Sequence, residues 1–242
     1  MGRIRTIARR TFLTGAVAIA GGVAFGTYMV RKPHDNPLAQ GLGADEATFN
    51  PWVMISPEKI TLITPHADTG QGVTHMQALL IAEEMDLEPG QYETDFGEPS
   101  PAYWNTALGG DGAPFTATDQ SMMARGARSM LGAVSKVVGI QGTGGSSSAP
   151  DSFEKLRVAG ATARETLKAA AAARHGVDVA ALKTVAGKVI LPDGTEVPYT
   201  DLAEEAAAIA PVTDVPLRDP STWRLLGKPT QRVDIVDKST GG

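Results

Sequence analysis

Cysteine is absent from the 242-residue sequence. That excludes disulfides, thiolate metal sites and iron–sulfur ligation by this chain, and it leaves the redox compartment open. Aromatic residues are scarce at 5%, so the abundant alanine and glycine imply a core of small and aliphatic side chains. Excess charge of one sign is missing too: the net charge is −5 and the pI near 5.4, which gives nucleic acid no footing. The four histidines, His34, His66, His75 and His175, lack metal-ligand spacing with carboxylates. No nucleophile elbow of the G-x-S-x-G kind occurs, and no repeat of solenoid length. No catalytic residue and no metal ligand is assigned on these grounds.

What is present begins at the N-terminus. "ARRTFLTG" sets Arg9-Arg10 directly before Phe12 and Leu13, and Thr11–Val30 carries no charge. A basic start followed by a mild Gly/Ala-rich segment resembles a twin-arginine export signal over residues 1–30. The same run is just long enough to span a bilayer, and no clean A-x-A site precedes Arg31, so it also reads as a retained anchor. The expected location is periplasmic, with the leader tying the chain to the cytoplasmic membrane if it is uncleaved.

Residues 31–50 read as a linker. "WVMISPEKITLITPH" reads as two short strands around Ser56-Pro57-Glu58. Val73 to Met85 reads as a helix that is apolar all round over Ala78–Ala82, hence well buried. Glu83 and Glu84 belong to its end and not to an acid/base pair. "QYETDF" suggests a strand, residues 105–117 an irregular excursion, and Asp119–Val137 a helix with Met122, Met123, Met130 and Leu131.

The clearest helix spans Ser152–His175, with Phe153, Leu156, Ala163, Leu167 and Ala170 on one stripe. Asp151 and Glu154 are spaced as a capping box, and Gly176 as the stop. Gly160, on that stripe at a cost of about 1 kcal/mol relative to Ala, implies close approach of another backbone. "KTVAGKVILPDGTEVPY" reads as a hairpin turning at Asp193-Gly194. A short helix at Asp201–Ile209 and Pro-rich extended chain follow.

Two stretches carry chemistry. "HADTGQGVTHMQALL" and "GIQGTGGSSSAPDSFEKL" each run a glycine-rich turn into a helix start. Such a turn aims several backbone N–H groups one way, and the helix dipole favours an anion there. Gly142, Gly144 and Gly145 permit close approach, and Ser146, Ser147 and Ser148 add hydroxyls, which suits a phosphate over Gly145–Ser148. Asp151 would repel an anion placed squarely on the helix axis. Neither loop is a Walker A motif or a G-x-G-x-x-G fingerprint. "GTGGSSSAP" also has the composition of a flexible linker, which would leave the first loop unexplained.

"WVMISPEKITLITPHADTGQGVTHMQALLIAEEMDLEP", "QGTGGSSSAPDSFEKLRVAGATARETL" and "LRDPSTWRLLGKPTQRVDIVDKSTG" together resemble the molybdopterin-binding large subunit of molybdenum hydroxylases, the xanthine dehydrogenase family. The resemblance runs from Asn50 to Gly242 and favours the branch of isoquinoline 1-oxidoreductase beta chains and membrane-associated aldehyde dehydrogenases. It implies that Gly70, Gln71 and Gly72, with Gly144, Gly145, Ser146, Ser147 and Ser148, line the pocket of molybdopterin cytosine dinucleotide, and that the Gln71 amide donates toward the ligands of the metal centre. Asp68 and Thr69 depart from the Glu-Met that commonly precedes the Gly-Gln-Gly turn.

The large subunit of that branch is about three times as long, a length of several domains, and carries its general-base glutamate near its far C-terminus. The resemblance therefore implies that this sequence is the N-terminal part of such a subunit, truncated or split, and inactive alone. The expected partners are the rest of the large subunit, a small [2Fe–2S] subunit and a cytochrome electron acceptor. The reaction of the whole would be hydroxylation of an aldehyde or an N-heterocycle with water. The alternative is a non-catalytic, membrane-anchored periplasmic module that binds a ligand or partner. The expected fold is α+β, small sheets against two to three helices: a body over 51–210, and an extended linker over 211–242 leading to a further domain. A fragment of this kind should expose an apolar face.

Overall fold

The computed structural model describes residues 22, 24–43 and 45–241. The paired arginines and most of the uncharged run lie outside the described residues. The fold is α+β, with two small sheets packed against several helices.

The first sheet has the order β1 (Ala47–Asn50), β2 (Val53–Ile55), β3 (Ile60–Ile63), β4 (Glu93–Asp95). The turn between β2 and β3 forms where Pro57 pre-sets it, and the Ser56 hydroxyl accepts from the amides of Glu58 and Lys59. β3 pairs antiparallel with β2 and parallel with β4. A parallel pair needs a crossover, and helix α1 (Val73–Glu84) supplies it. As its unbroken apolar run implies, α1 is buried on nearly every side. Strand β1 lies where the composition suggests the end of a linker. Phe49 and Ala47 instead enter the core, and Asn50 donates to the Ala159 carbonyl at 2.9 Å.

Helices α2 (Thr106–Asp111), α3 (Met122–Val138) and α4 (Ser148–His175) follow. The stretch expected to be an irregular excursion thus holds α2, capped by the Asn105 side chain, which accepts from the Leu108 amide. Gly160 meets the expectation of close approach. A Cβ there would stand 2.6 Å from the Ile81 carbonyl oxygen and 3.0 Å from Glu84 Cβ, so α1 and α4 touch through their backbones. Gly176 ends α4 in the left-handed region at φ 65°.

Two expectations for α4 are corrected. The helix starts four residues before Ser152, and Asp151 lies inside its first turn with its carboxylate turned elsewhere, so no capping box forms. Phe153 leaves the buried stripe of Leu156, Ala163, Leu167 and Ala170: it is 45% exposed and packs edge-on to Trp223.

The second sheet is β5 (Lys183–Val185), β6 (Lys188–Ile190), β7 (Glu196–Pro198), antiparallel throughout. The expected turn through Gly194 is joined by a second at Ala186-Gly187, where both residues have positive φ, a two-residue hairpin turn. Alanine gives no signal for that turn. The Gly187 amide bonds the Asp86 carbonyl at 3.0 Å, so tertiary contact holds it. Helices α5 (Ala203–Ala207) and α6 (Ile235–Thr240) complete the chain, with a largely irregular strap between them.

Candidate cofactor cleft between two helix starts

Three contacts fix how α1 and α4 lie. Gln77 Nε2 donates to Ser152 Oγ at 2.9 Å, Ile81 meets Gly160, and Glu84 reaches Arg157 at 2.8 Å and Arg164 at 3.2 Å. Successive turns of one helix meet successive turns of the other, so the two run parallel. Their N-termini therefore open side by side, and the two glycine loops, far apart in sequence, face one cleft. The Ala67 amide donates to Thr143 Oγ1 at 2.9 Å and Gln141 Nε2 to the Pro65 carbonyl at 3.2 Å, which ties the loops together.

The cleft encloses about 370 Å³ and is open on one side, within the usual range for a small-molecule site. Gln71, Gly72, Gly144, Ser146 and Ser148 of the expected set line it, while Gly70, Gly145 and Ser147 do not. Val73, Met76, Thr143 and Ala149 complete the walls. Two parallel helix dipoles put their positive ends here.

The loops differ in what they leave free. In the first, the Asp68 carboxylate accepts from the amides of Gly70 (2.8 Å), Gly72 (3.4 Å) and Thr74 (3.1 Å). Burial opposes its ionisation, but those amides and Lys238 outweigh it and hold the Asp68 carboxyl below its ordinary range. An internal anion thus occupies the start of α1. Gln71 is also turned inward: its Oε1 accepts from Thr69 and its Nε2 donates to the Ala67 carbonyl at 2.8 Å. Arg232 braces the turn from below, donating to the Gly70 carbonyl at 3.0 Å.

In the second loop, Asn105 holds the chain, its Nδ2 donating to the Gly142 carbonyl and to Ser147 Oγ, both at 2.9 Å. This segment is pinned and buried at Ser147, unlike a flexible linker. Ser147 Oγ donates in turn to the Gly144 carbonyl at 2.6 Å. Gly145 and Ser146 both adopt φ 57°, a left-handed bend beside the Asp111 carboxylate, whose oxygen would stand 3.1 Å from a Cβ at Gly145. Among the described residues, the amides of Gly145, Ser146, Ser148 and Ala149 have no protein acceptor. Pro150 brings no amide of its own and needs none in the first turn.

Asp151 does not face these amides. It accepts from the Thr106 amide at 2.7 Å and from Lys155 at 2.8 and 3.0 Å, with His66 Nε2 3.8 Å away. Lys155 also donates to the Trp104 carbonyl at 2.7 Å and sits over its ring. Burial lowers the His66 pKa despite Asp151, and burial likewise lowers that of Lys155. The repulsion expected from Asp151 is therefore neutralised by its own neighbour. The i,i+4 pair of Asp151 and Lys155 is local, but neither the pinning of the loop by Asn105 nor the approach of His66 and Thr106 to Asp151 is readable from local sequence, because those partners lie tens of positions away.

At the far end of α1, Glu83 accepts from three successive amides, Arg224, Leu225 and Leu226 (2.7 to 3.1 Å). Glu84 gathers Arg157, Arg164 and the Arg218 amide. Both are helix-end groups, as expected, and both clamp the strap. Among the described residues no group of three or more His, Asp or Glu side chains is placed to hold a metal ion, and no helix is long and apolar enough to cross a membrane.

Compared with known proteins, the chain matches no family model. It is similar to one of the subunits of nicotinate dehydrogenase from Pseudomonas putida, 25% identical over 213 residues. The match covers 86% of this chain and 15% of that relative, so the chain spans under a sixth of the relative's length.

Proposed function

We propose that the chain is a cofactor-holding part of a molybdenum hydroxylase large subunit, and that its cleft grips a phosphate-bearing part of molybdopterin cytosine dinucleotide. The observation that carries this reading is the set of unpaired amides at Ser146, Ser148 and Ala149, beside the Ser146 and Ser148 side chains, at the start of a 28-residue helix. Similarity to a subunit of a nicotinate dehydrogenase supports an oxidoreductase role of this family type.

When bound, the molybdenum centre supplies the two-electron oxidation, with water as the oxygen source. The residues of this chain bind and orient. The second loop takes the anion on its amides, Val73 and Met76 give an apolar floor, and the tie between Ala67 and Thr143 keeps the walls in register. Gln71 keeps one amide hydrogen beyond its bond to Ala67, so the first loop contributes shape and at most that donor. The general base, a [2Fe–2S] subunit and a cytochrome acceptor belong to other chains or to the rest of the large subunit, on the periplasmic side of the membrane. The substrate is an aldehyde or N-heterocycle.

A second reading has one observation in its favour. Because Asp68 already fills the start of α1, a module that binds a single small anion at α4 without redox chemistry fits the same cleft.

The test is metal and nucleotide content of the protein purified from its own host with its co-eluting chains. Molybdenum and releasable cytosine nucleotide at stoichiometric levels support the proposal. Gly144→Asp, which sets a carboxylate among the free amides, should abolish retention of the nucleotide while far-UV circular dichroism stays unchanged. Native protein free of both metal and nucleotide would sink the cofactor reading.

A further inference from the structure

Helix α3 is built the wrong way round for a helix serving only its own core. The face turned inward is made of small residues: Ala124, Gly132 and Ser135 are its buried positions. They admit α2 so closely that a Cβ at Gly132 would stand 2.6 Å from Thr106 Cγ2. Met123, Met130 and Val134, seven and four residues apart, fall on the opposite face and are 74%, 68% and 48% exposed. Val138 continues that face toward the C-terminal end at 66%, and Met122, at the first position of the helix, is 84% exposed. Within a chain of net charge −5, α3 holds Arg125, Arg128 and Lys136 and no acidic residue.

We propose that α3 is a membrane-surface helix, its Met123–Met130–Val134 face settling into the headgroup–acyl boundary of a bilayer that contains anionic phospholipid. The stripe supplies the apolar area; Arg128 is bonded to the Thr116 and Asp119 carbonyls and Lys136 to that of Val30, so the exposed Arg125 is the basic side chain of α3 left for lipid phosphate. Continuity with the N-terminal run decides for lipid over other occupants. Lys136 Nζ donates to the Val30 carbonyl at 2.5 Å and His34 bonds the Lys136 carbonyl at 2.7 Å, so the last residue of the uncharged run Thr11–Val30 is fastened to the end of α3. The helical residues just before it expose Phe25 and Tyr28, aromatic side chains of the kind that sit at a membrane interface. The inference stands apart from the cofactor reading.

The cysteine-free chain makes the test direct. Met130→Cys in the full-length protein is labelled with a polarity-sensitive thiol probe, and Glu204→Cys, at an exposed position of α5, serves as the reference site. On adding vesicles of phosphatidylethanolamine with phosphatidylglycerol, the probe at 130 should shift to the blue while the probe at 204 stays unmoved. Phosphatidylcholine vesicles should give a much smaller shift. Introducing Met123→Asp and Val134→Asp should weaken vesicle partition by about tenfold or more, with the fold checked by circular dichroism. Vesicle binding through the N-terminal run that leaves the probe at 130 in water overturns the proposal. So does a blue shift without lipid that grows with protein concentration, or one that appears only with co-purifying chains.

Discussion

The two ends of the α1–α4 pair are built on opposite terms. At the C-terminal end of α1, carboxylates, guanidinium groups and strap amides close on one another around Glu83 and Glu84, with both carboxylates nearly inaccessible. At the N-terminal end, glycine and serine replace long side chains, and four amides of the second loop keep their hydrogen-bonding capacity. One end uses its polar groups to hold the fold. The other leaves amides without a protein partner, and between them Gly160 keeps the helices in register.

The largest expected effect comes from breaking the closed end. Glu84→Ala strands Arg157 and Arg164 in the interior and should cost about 3–5 kcal/mol of unfolding free energy by urea denaturation. Ser146→Ala, a change at the open end, should stay within about 0.5 kcal/mol in the same assay. Equal losses at both would erase the distinction. Next, Gly160→Ala should destabilise by about 1–3 kcal/mol, because the clash with the Ile81 carbonyl exceeds the helix-propensity gain. A neutral result would mean that the helices separate readily.

Asp68→Ala sharpens the comparison, since it should turn the first loop from a closed site into an open one. Loss of a carboxylate serving three amides should cost about 0.5–2 kcal/mol, while affinity for inorganic phosphate, read by titration calorimetry, should rise. Affinity unchanged or lowered would show that Asp68 does not compete for those amides. The smallest effect is in pH. Burial holds His66 below its ordinary pKa of 6.5 in the folded state, so the unfolded chain binds the proton more readily. Stability from keeping His66 neutral is full above about pH 6.5 and falls as the pH drops below it. His66→Gln should flatten the decline, leaving the part due to His75, which burial and Arg232 also lower. An unaltered slope would assign the decline elsewhere.

Much of this is legible in the sequence, and the pattern of what is not is physical. The burial of α1, the approach at Gly160, the stop at Gly176 and the turn at Gly194 each follow from a local rule about periodicity or positive φ. Strand β1 and the turn at Ala186 do not, because β1 is stabilised by Asn50 reaching α4 and the turn by the Asp86 carbonyl. The two loops can be singled out as anion-seeking from composition, but not ranked. Only the folded chain reveals that Asp68 closes the first, that Asn105 pins the second, and that Ser147 faces inward while Thr143 and Met76 face the cleft.

The tie between Ala67 and Thr143 joins residues 76 positions apart. Contacts of that separation close late, since a long stretch of chain must be ordered before they offset its entropy. The apolar floor at Val73 and Met76 and the amides of the second loop come together only across that tie, and the Glu83 clamp on Arg224–Leu226 adds a still more distant condition. A nascent chain therefore has no assembled cleft until both walls are folded. On the proposed cofactor reading, loading follows folding, and the order of the two events is a property of the chain's connectivity.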